Sequence, residues 1–509
     1  MSQPPGLKVS RNLARTGISG YSYRLRLRQL IVSKKSELAV DGHPELRGTW
    51  ASAIDCPRGR FLLLALACVI LFFGAIRLGD LAGYDDARYA TEAKNILRSG
   101  DWLNPTNQGA PALEHPPLFV WVQAIFLSVF GISDIAAKAP SALSALGTVL
   151  LVYWLALRLL RDALAASVAM FIMLATPYFI KYANHAMTDV PTTFLFICAM
   201  CAWSLVDRDP RWCLAVGAFI ALALMMRGLI GLALPAICAI DLRVTRRSIP
   251  KSYIFAALLI AFLPLTFWYA YSVLRFPEFT AIHRGWLERQ VYGSLTPSWR
   301  RYTGAIEYAF MLLKSYWPWL PAMVAGFVLV IRGRRRELYL LLSWATVVFL
   351  LCAITRSRVL RFMLPAYPAF SMLSAMAISK LIPHRHLERA MSWIPPASVL
   401  VAVGIVVLVR PTWHAAAILP IARAASNPPG QVVAFYDGGQ PRWDEANQLE
   451  WYGDCMPRLL ETPRALDQAL KAPPTRAFVV DKPAYESVLR KTSHDVIVES
   501  AHLIYVRLR

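Results

Sequence analysis

Gly83-Tyr84-Asp85-Asp86-Ala87-Arg88-Tyr89-Ala90 follows directly on the first long apolar run of the chain. Two adjacent carboxylates at that point are available to take a proton or to hold a cation. A helix starting here puts Asp85, Arg88, Tyr89 and Glu92 on one face, at i, i+3, i+4 and i+7. Asp86, one residue on, points about 100° away. A second acidic residue closes the same loop in Glu114-His115-Pro116-Pro117, where the prolines stiffen the return of the chain. A third, Asp189, stands in Met187-Thr188-Asp189-Val190-Pro191. Helix caps and turns also use Asp. What favours a site is the recurrence of acidic residues at one end of neighbouring apolar runs.

Cations oppose them. Arg227-Gly228 breaks an apolar stretch, and Arg356, Arg358 and Arg361 precede Phe362-Met363-Leu364-Pro365. A guanidinium offers paired N–H donors that match phosphate oxygens, so a lipid phosphate is a natural ligand for them.

The elements that must position these residues are membrane helices. Of the 509 residues 56% are hydrophobic, more than ordinary soluble domains carry. Apolar runs of roughly twenty residues match the thickness of a bilayer core. They predict about eleven spans, near 61–78, 139–157, 163–182, 190–206, 212–226, 228–242, 252–274, 315–331, 337–354, 362–381 and 393–410. The net charge of +22 would suit a nucleic-acid binder. Its distribution excludes that reading. Basic residues cluster at every second turn between runs, at Arg158 and Arg161, Arg208 and Arg211, Arg243 to Lys251, Arg332 to Arg336, and Arg385 to Arg389. This is the positive-inside pattern.

Leu118 to Gly131 is too short to span and reads as an interfacial or re-entrant helix. The N-terminus is then cytoplasmic, and 79–138, 275–314 and the C-terminus are periplasmic. Three domains follow. Residues 1–60 are a basic cytoplasmic tail, expected to be disordered. Residues 61–411 form the transmembrane domain. Residues 412–509 form a periplasmic α/β domain, with strands near 431–436, 477–481, 495–499 and 503–507 and helices near 462–471 and 483–491. That domain carries no catalytic motif. Cys198 and Cys201 form a CxxC inside an apolar run and read as core packing.

The order and spacing of Gly83 to Ala90, Arg98-Ser99-Gly100-Asp101-Trp102, Glu114 to Trp121, Thr188 to Pro191, Arg227-Gly228 and Arg361 to Pro368 resemble the polyprenyl-phosphate-sugar glycosyltransferases. This membrane family, with the GT-C fold, includes lipid A aminoarabinose transferases and protein O-mannosyltransferases. The resemblance covers roughly residues 60–380. It implies that Asp85 is the catalytic base and that Asp86, Glu114 and Asp189 are acidic site residues, with Arg88 and Tyr89 in support. His115 and Arg227 occupy positions often held by lysine, and a protonated His115 would contact the carrier phosphate with Arg227, Arg358 and Arg361. Phe362 stands where tyrosine is frequent. In the aminoarabinose enzymes the residue matching Glu114 helps bind a metal, so a divalent cation is implied there. Glu288 falls where those enzymes have a metal-binding histidine.

The expected protein is therefore mainly α, a polytopic inner-membrane GT-C enzyme with about eleven to thirteen helices. It would move a sugar from a polyprenyl-phosphate donor to a hydroxyl of lipid A, a glycan or a protein, with inversion. Donor, acceptor and membrane lipids are its partners, and nucleic acid is not. A lipid-sugar flippase would instead carry ionisable residues at mid-span and an inverted repeat. A non-catalytic scaffold would have no use for Asp85.

Overall fold

The computed structural model describes residues 56–81, 83–290, 300–355, 359–411, 414–438, 442–471 and 476–509. The expected tail over 1–60 lies outside them except for its last residues, and Arg356 and Arg358 lie outside them as well.

The first apolar run forms helix α1 (Pro57–Ala75), and the acidic motif opens helix α2 (Gly83–Ser99). Asp85 and Asp86 sit in the first turn of α2 and Arg98 in its last, the arrangement that complements the helix dipole. After a two-stranded hairpin, β1 (Thr106–Asn107) and β2 (Ala110–Pro111), come the apolar helices α3 (Leu118–Phe130) and α4 (Asp134–Leu160). The chain continues through α5 (Ala163–Leu174), α6 (Pro177–Ala183), α7 (Asp189–Trp203), α8 (Trp212–Arg227), α9 (Ala233–Thr245) and α10 (Lys251–Arg275). Then follow α11 (Phe279–Gln290), α12 (Arg300–Ser315), α13 (Leu320–Gly333), α14 (Tyr339–Ile354), α15 (Tyr367–Leu381) and α16 (His384–Leu408).

Among the described residues seven helical runs are long and apolar enough to cross a membrane, or eight if α5 and α6, bent by 63°, are one span. The chain is a multi-pass membrane protein. The expected eleven spans are not reached on length and composition. Helices α3, α7 and α13 are apolar but short, and 212–245 counts as one run of 34 residues. That run nevertheless turns back on itself. A Cβ on Gly231 would lie 2.8 Å from the Leu224 backbone nitrogen, whereas residues seven apart in a straight helix are about 10 Å apart. The turn follows Arg227, at Gly228, whose φ of 60° suits glycine. Helix α9 then returns alongside α7: Arg227 meets Asp189 at one end, and Trp203 donates to Asp241 at the other, 2.8 Å.

The helices pack through small residues. Gly217 lies against the Ala257 backbone and Gly326 against that of Leu373, each so close that a Cβ would collide. Close backbone approach is how membrane helices gain dispersion contact without a hydrophobic driving force.

After α16 and a short helix, α17 (Leu419–Ala425), the chain builds the expected small α/β unit. Its strands are β3 (Val432–Tyr436), β4 (Met456–Leu459), β5 (Ala477–Asp481), β6 (His494–Ser500) and β7 (Leu503–Leu508). Helix α18 (Trp443–Gly453) joins β3 to β4, α19 (Pro463–Lys471) joins β4 to β5, and α20 (Lys482–Ser487) follows β5. The sheet order is β4-β3-β5-β7-β6. Strands β3, β4 and β5 are parallel, and β7 runs antiparallel to β5 and β6. Four strands fall close to their sequence positions. Strand β4 and helix α18 were not expected: Met456-Pro457-Arg458-Leu459 is short and carries a proline, which an edge strand tolerates.

Candidate active site

Asp85, on the first turn of α2, points into a cavity of about 480 Å³. Arg88, Tyr89, Glu114, His115, Arg227 and Arg361 share the lining with it. Arg361 comes from the 3₁₀ turn Leu360–Ala366 before α15, and its Nη2 donates to Asp85 Oδ2 at 2.6 Å. Arg227, at the end of α8, pairs with Asp189 at the start of α7. Asp189 is only 2% exposed, and Arg361 Nε stands 3.9 Å from the same carboxylate. The Phe362 ring lies under both cations, 4.6 Å from the Arg227 guanidinium and 6.0 Å from that of Arg361. An aromatic face at such distances stabilises a desolvated cation. Two elements remote in sequence thus aim two guanidinium groups at one cavity wall.

Arg88 is 6% exposed and bridges two carboxylates. Its Nε donates to Glu92 and its Nη1 to Glu114, each at 2.8 Å. Burial pushes the Glu92 carboxyl above its ordinary range, and Arg88 opposes that shift. Tyr89 packs edge-on against Phe119, centroids 5.4 Å apart, and beside His115 at 6.3 Å. Burial, followed by the nearby charge of Arg88, pushes the His115 pKa well below its ordinary value of 6.5. At neutral pH the ring is therefore uncharged. The expected protonated His115 gives way to a neutral hydrogen-bonding group, because a histidine crowded by a guanidinium and shielded from water gives up its proton.

Asp86 leaves this group. It is 1% exposed, and its Oδ2 lies 2.6 Å from His185 Nδ1. The one-residue rotation that separates Asp85 from Asp86 turns one carboxylate to the cavity and the other into the protein. His185 was missed in the sequence, although it stands just before Thr188 to Pro191.

Among the described residues Glu114 belongs to no group of three metal-ligating side chains. Arg88 is a positive partner of Glu114. Glu288, which stands where the resembling enzymes have a metal-binding histidine, makes an exposed pair with Arg284 one helical turn back, 3.2 Å. His283, on the same helix, is the residue that reaches the site. It hydrogen-bonds the Leu113 backbone and interacts electrostatically with Glu114, and it stacks on Phe279 with centroids 4.8 Å apart.

Helix α2 is held from behind by α18. Lys94 Nζ donates to the Glu450 and Trp451 carbonyls, 3.2 and 2.8 Å, and pairs with Asp454 at 3.0 Å. Asn95 donates to Glu450 Oε1 at 2.9 Å. Trp451 and Tyr452 both donate to Asp134 at the start of α4, each at 2.8 Å. Burial raises the Asp444 carboxyl, and the charge on Asp85 adds to the shift, so the first turn of α18 lies within electrostatic reach of the cavity. None of these contacts had a sequence signal beyond a lone lysine in an amphipathic helix.

The comparisons with known proteins come to the same class. A profile of the dolichyl-phosphate-mannose-protein mannosyltransferase family matches residues 114–270. The undecaprenyl phosphate-α-4-amino-4-deoxy-L-arabinose arabinosyl transferase of Edwardsiella ictaluri is 27% identical over 324 residues, 58% of this chain and 55% of that protein. A second transferase of that description, from Sodalis glossinidius, is 25% identical over 340 residues, 61% of this chain and 58% of its own length. An uncharacterized protein of Aquifex aeolicus is 26% identical over 322 residues, 62% of this chain and 63% of its own. The chain thus spans less than two thirds of these curated relatives.

Among solved structures, ArnT from Cupriavidus metallidurans bound to undecaprenyl phosphate superposes with a TM-score of 0.67 at 19% identity, over 87% of this chain and 97% of that one. The Archaeoglobus fulgidus oligosaccharyltransferase superposes with a TM-score of 0.51 at 13% identity, over 82% of this chain and 68% of that one. The GT-C fold is therefore shared, and the resemblance read from the motifs to glycosyltransferases that use polyprenyl-phosphate sugars is borne out.

Proposed function

We propose that this protein is a bacterial inner-membrane glycosyltransferase that moves a sugar from a polyprenyl-phosphate carrier to an acceptor hydroxyl on the periplasmic face. The observation that carries this reading is the pairing of Asp85 with Arg361 on a cavity that Arg227 also lines. A carboxylate that can take a proton and cations that can receive a phosphate face the same space. The curated relatives support undecaprenyl phosphate as the carrier and 4-amino-4-deoxy-L-arabinose as the first sugar to try.

In the proposed reaction Asp85 removes the proton of the acceptor hydroxyl. The acceptor oxygen forms a bond to the anomeric carbon as the bond from that carbon to the carrier phosphate breaks. A single displacement of this kind inverts the anomeric centre. Arg227 and Arg361, with Arg358 as a third cation, take up the charge of the departing phosphate in a partly buried site. Arg361 has two anions to choose between. When the donor phosphate engages it, Asp85 loses its partner and becomes free to act as base. His115 gives the phosphate a neutral hydrogen bond, Arg88 and Tyr89 hold the loop that carries Glu114, and Asp86 anchors α2. The charged groups gather at one end of the bundle, which does not favour a flippase.

The test is transfer by purified protein in detergent, with an undecaprenyl-phosphate sugar as donor and envelope lipid or glycan extracts as acceptors. Release of undecaprenyl phosphate together with a glycosylated product supports the reading. Donor bound but never turned over, across all acceptors, would overturn it.

A further inference from the structure

The carboxyl ends of β3 and β5 hold a second cluster of ionisable groups, which the transfer reaction does not use. Strand β3 leads into α18, whose Leu449 packs on the face of Val433 and Phe435. Strand β5 leads into α20, which packs on the opposite face with Phe478 and Val480. Adjacent parallel strands that send their chains to opposite faces leave a crevice at their carboxyl ends, the usual ligand position in such sheets. Asp437 follows β3 directly, Asp481 ends β5, and His502 lies in the turn between β6 and β7, beside Leu503, which pairs with Asp481. Glu445 reaches in from the first turn of α18.

The donor atoms of Asp437, Glu445 and His502 all lie within 4.8 Å of one another. Glu445 Oε1 is 3.1 Å from His502 Nε2. The same Nε2 is 3.1 Å from Arg442 Nη1. One ring nitrogen cannot both donate to the carboxylate and accept from the guanidinium, and Arg442 Nη1 also donates to Glu445 Oε1 at 3.3 Å. Arg442 also pairs with Asp437.

Asp481 is the independent observation. Its side chain is buried, 8% exposed, and among the described residues its Oδ1 has no hydrogen-bond partner. The other oxygen faces the Asp437 loop: it would lie 3.4 Å from a Cβ on Gly438, whose φ of +55° lets the chain turn round the carboxylate. Burying a carboxylate without a donor is costly, and a structure bears that cost where a cation repays it. Burial raises the Asp437 carboxyl above its ordinary range; Arg442 opposes this and Asp481 adds to it.

We propose that this crevice is a divalent-metal site, with Asp437, Glu445 and His502 as ligands and the buried Asp481 adding negative charge behind them. One imidazole among carboxylates suits Zn²⁺ or Mn²⁺ better than Ca²⁺ or Mg²⁺. Arg442 holds the cluster together without metal and swings out when the ion enters, as its half-exposed side chain allows. A bound ion cross-links α18 to the sheet at the helix end that lies nearest Asp85.

The experiment uses the full chain in detergent, stripped with chelator and titrated with Zn²⁺. Wild type should bind one equivalent more than His502→Ala, and Glu445→Gln should weaken that equivalent by about ten-fold or more. Arg442→Ala should bind it more tightly, because a competing cation is gone. Replacement by Co²⁺ should give a visible ligand-field band in wild type that His502→Ala lacks. Equal metal content in wild type, His502→Ala and Glu445→Gln, with no change in the cobalt spectrum, would overturn the proposal. A metal held elsewhere would stay in all these proteins and drop out of the difference.

Discussion

Arg361 Nη2 donates to Asp85 Oδ2 at 2.6 Å, across 276 residues of sequence. The pair ties the first turn of α2 to the turn that opens α15. It also makes the proposed base and the proposed phosphate ligand each other's partner before any donor binds. Exchange of Arg361 from carboxylate to phosphate would couple donor binding to activation of the base. An acceptor would then meet a competent carboxylate only when the donor is in place.

Asp85→Asn should abolish transfer while the protein inserts, folds and binds its donor. Asparagine keeps the size and an acceptor for Arg361, but it takes no proton at neutral pH. A positioned general base contributes about 10²–10⁴ in rate, and turnover with purified variant should fall at least that far. Asp86→Asn should behave differently. Its carboxylate is buried against His185, so the change should lower thermal stability more than the rate of the surviving folded enzyme. Near-normal turnover by Asp85→Asn would reduce that residue to an anchor for Arg361.

Arg227→Ala should destabilise the protein, because buried Asp189 would keep only the more distant Arg361, whose Nε stands 3.9 Å away. Removing one partner of a buried pair costs about 3–5 kcal/mol. Adding Asp189→Asn should recover much of that loss without restoring use of the lipid donor. Thermal unfolding of the single and double variants separates the structural role from the phosphate role. Recovery of both stability and donor affinity in the double variant would show that Arg227 serves only Asp189.

The acidic motif, the turn at Arg227-Gly228 and the cation before the final Pro-containing turn were legible because polar residues interrupting apolar runs stand out. The alternation of basic turns ordered the runs. The partners were not legible. Nothing in the spacing says that Arg361 reaches Asp85, that Arg88 neutralises Glu114, or that His283 and not Glu288 approaches the loop, since these depend on how helices rotate against one another. A short apolar helix such as α7 defeats a count by length, because burial among neighbours replaces contact with lipid along nearly all of it. Helix α18 escaped notice because its job, holding α2 through backbone carbonyls, leaves no side-chain motif.

His115 gives the pH prediction. Its folded pKa lies below the ordinary 6.5, while the unfolded chain takes up its proton near that value. The unfolded state therefore binds more protons as pH falls below about 6.5, and this residue's contribution to stability is lost on the acid side. Above that pH the contribution is fully present. His115→Asn should flatten the acid limb of stability against pH, measured by thermal unfolding between about pH 5 and 8. Transfer should show no inflection near 6.5 that this substitution removes. Such an inflection would mean that the ring titrates normally and meets the phosphate as a cation.

Lys94→Met should test whether the C-terminal unit positions the catalytic helix. Lys94 is 3% exposed and satisfies two carbonyls in the last turn of α18 while pairing with Asp454. Methionine preserves most of the apolar stem and removes the three N–H donors. Losing charge-assisted hydrogen bonds of this kind costs about 1.5–3 kcal/mol, borne at the contact between α2 and α18 and not in the membrane bundle. The expected result is faster proteolytic cleavage between α16 and β3 with little change in bundle unfolding. Turnover should fall with it, because Asp85 rides on α2, while donor affinity, set by Arg227 and Arg361 on other elements, stays nearly constant. A loss of donor affinity equal to the loss of turnover would mean that α18 supports the whole cavity and not the base alone. Unchanged proteolysis and turnover would mean that α2 keeps its place without α18.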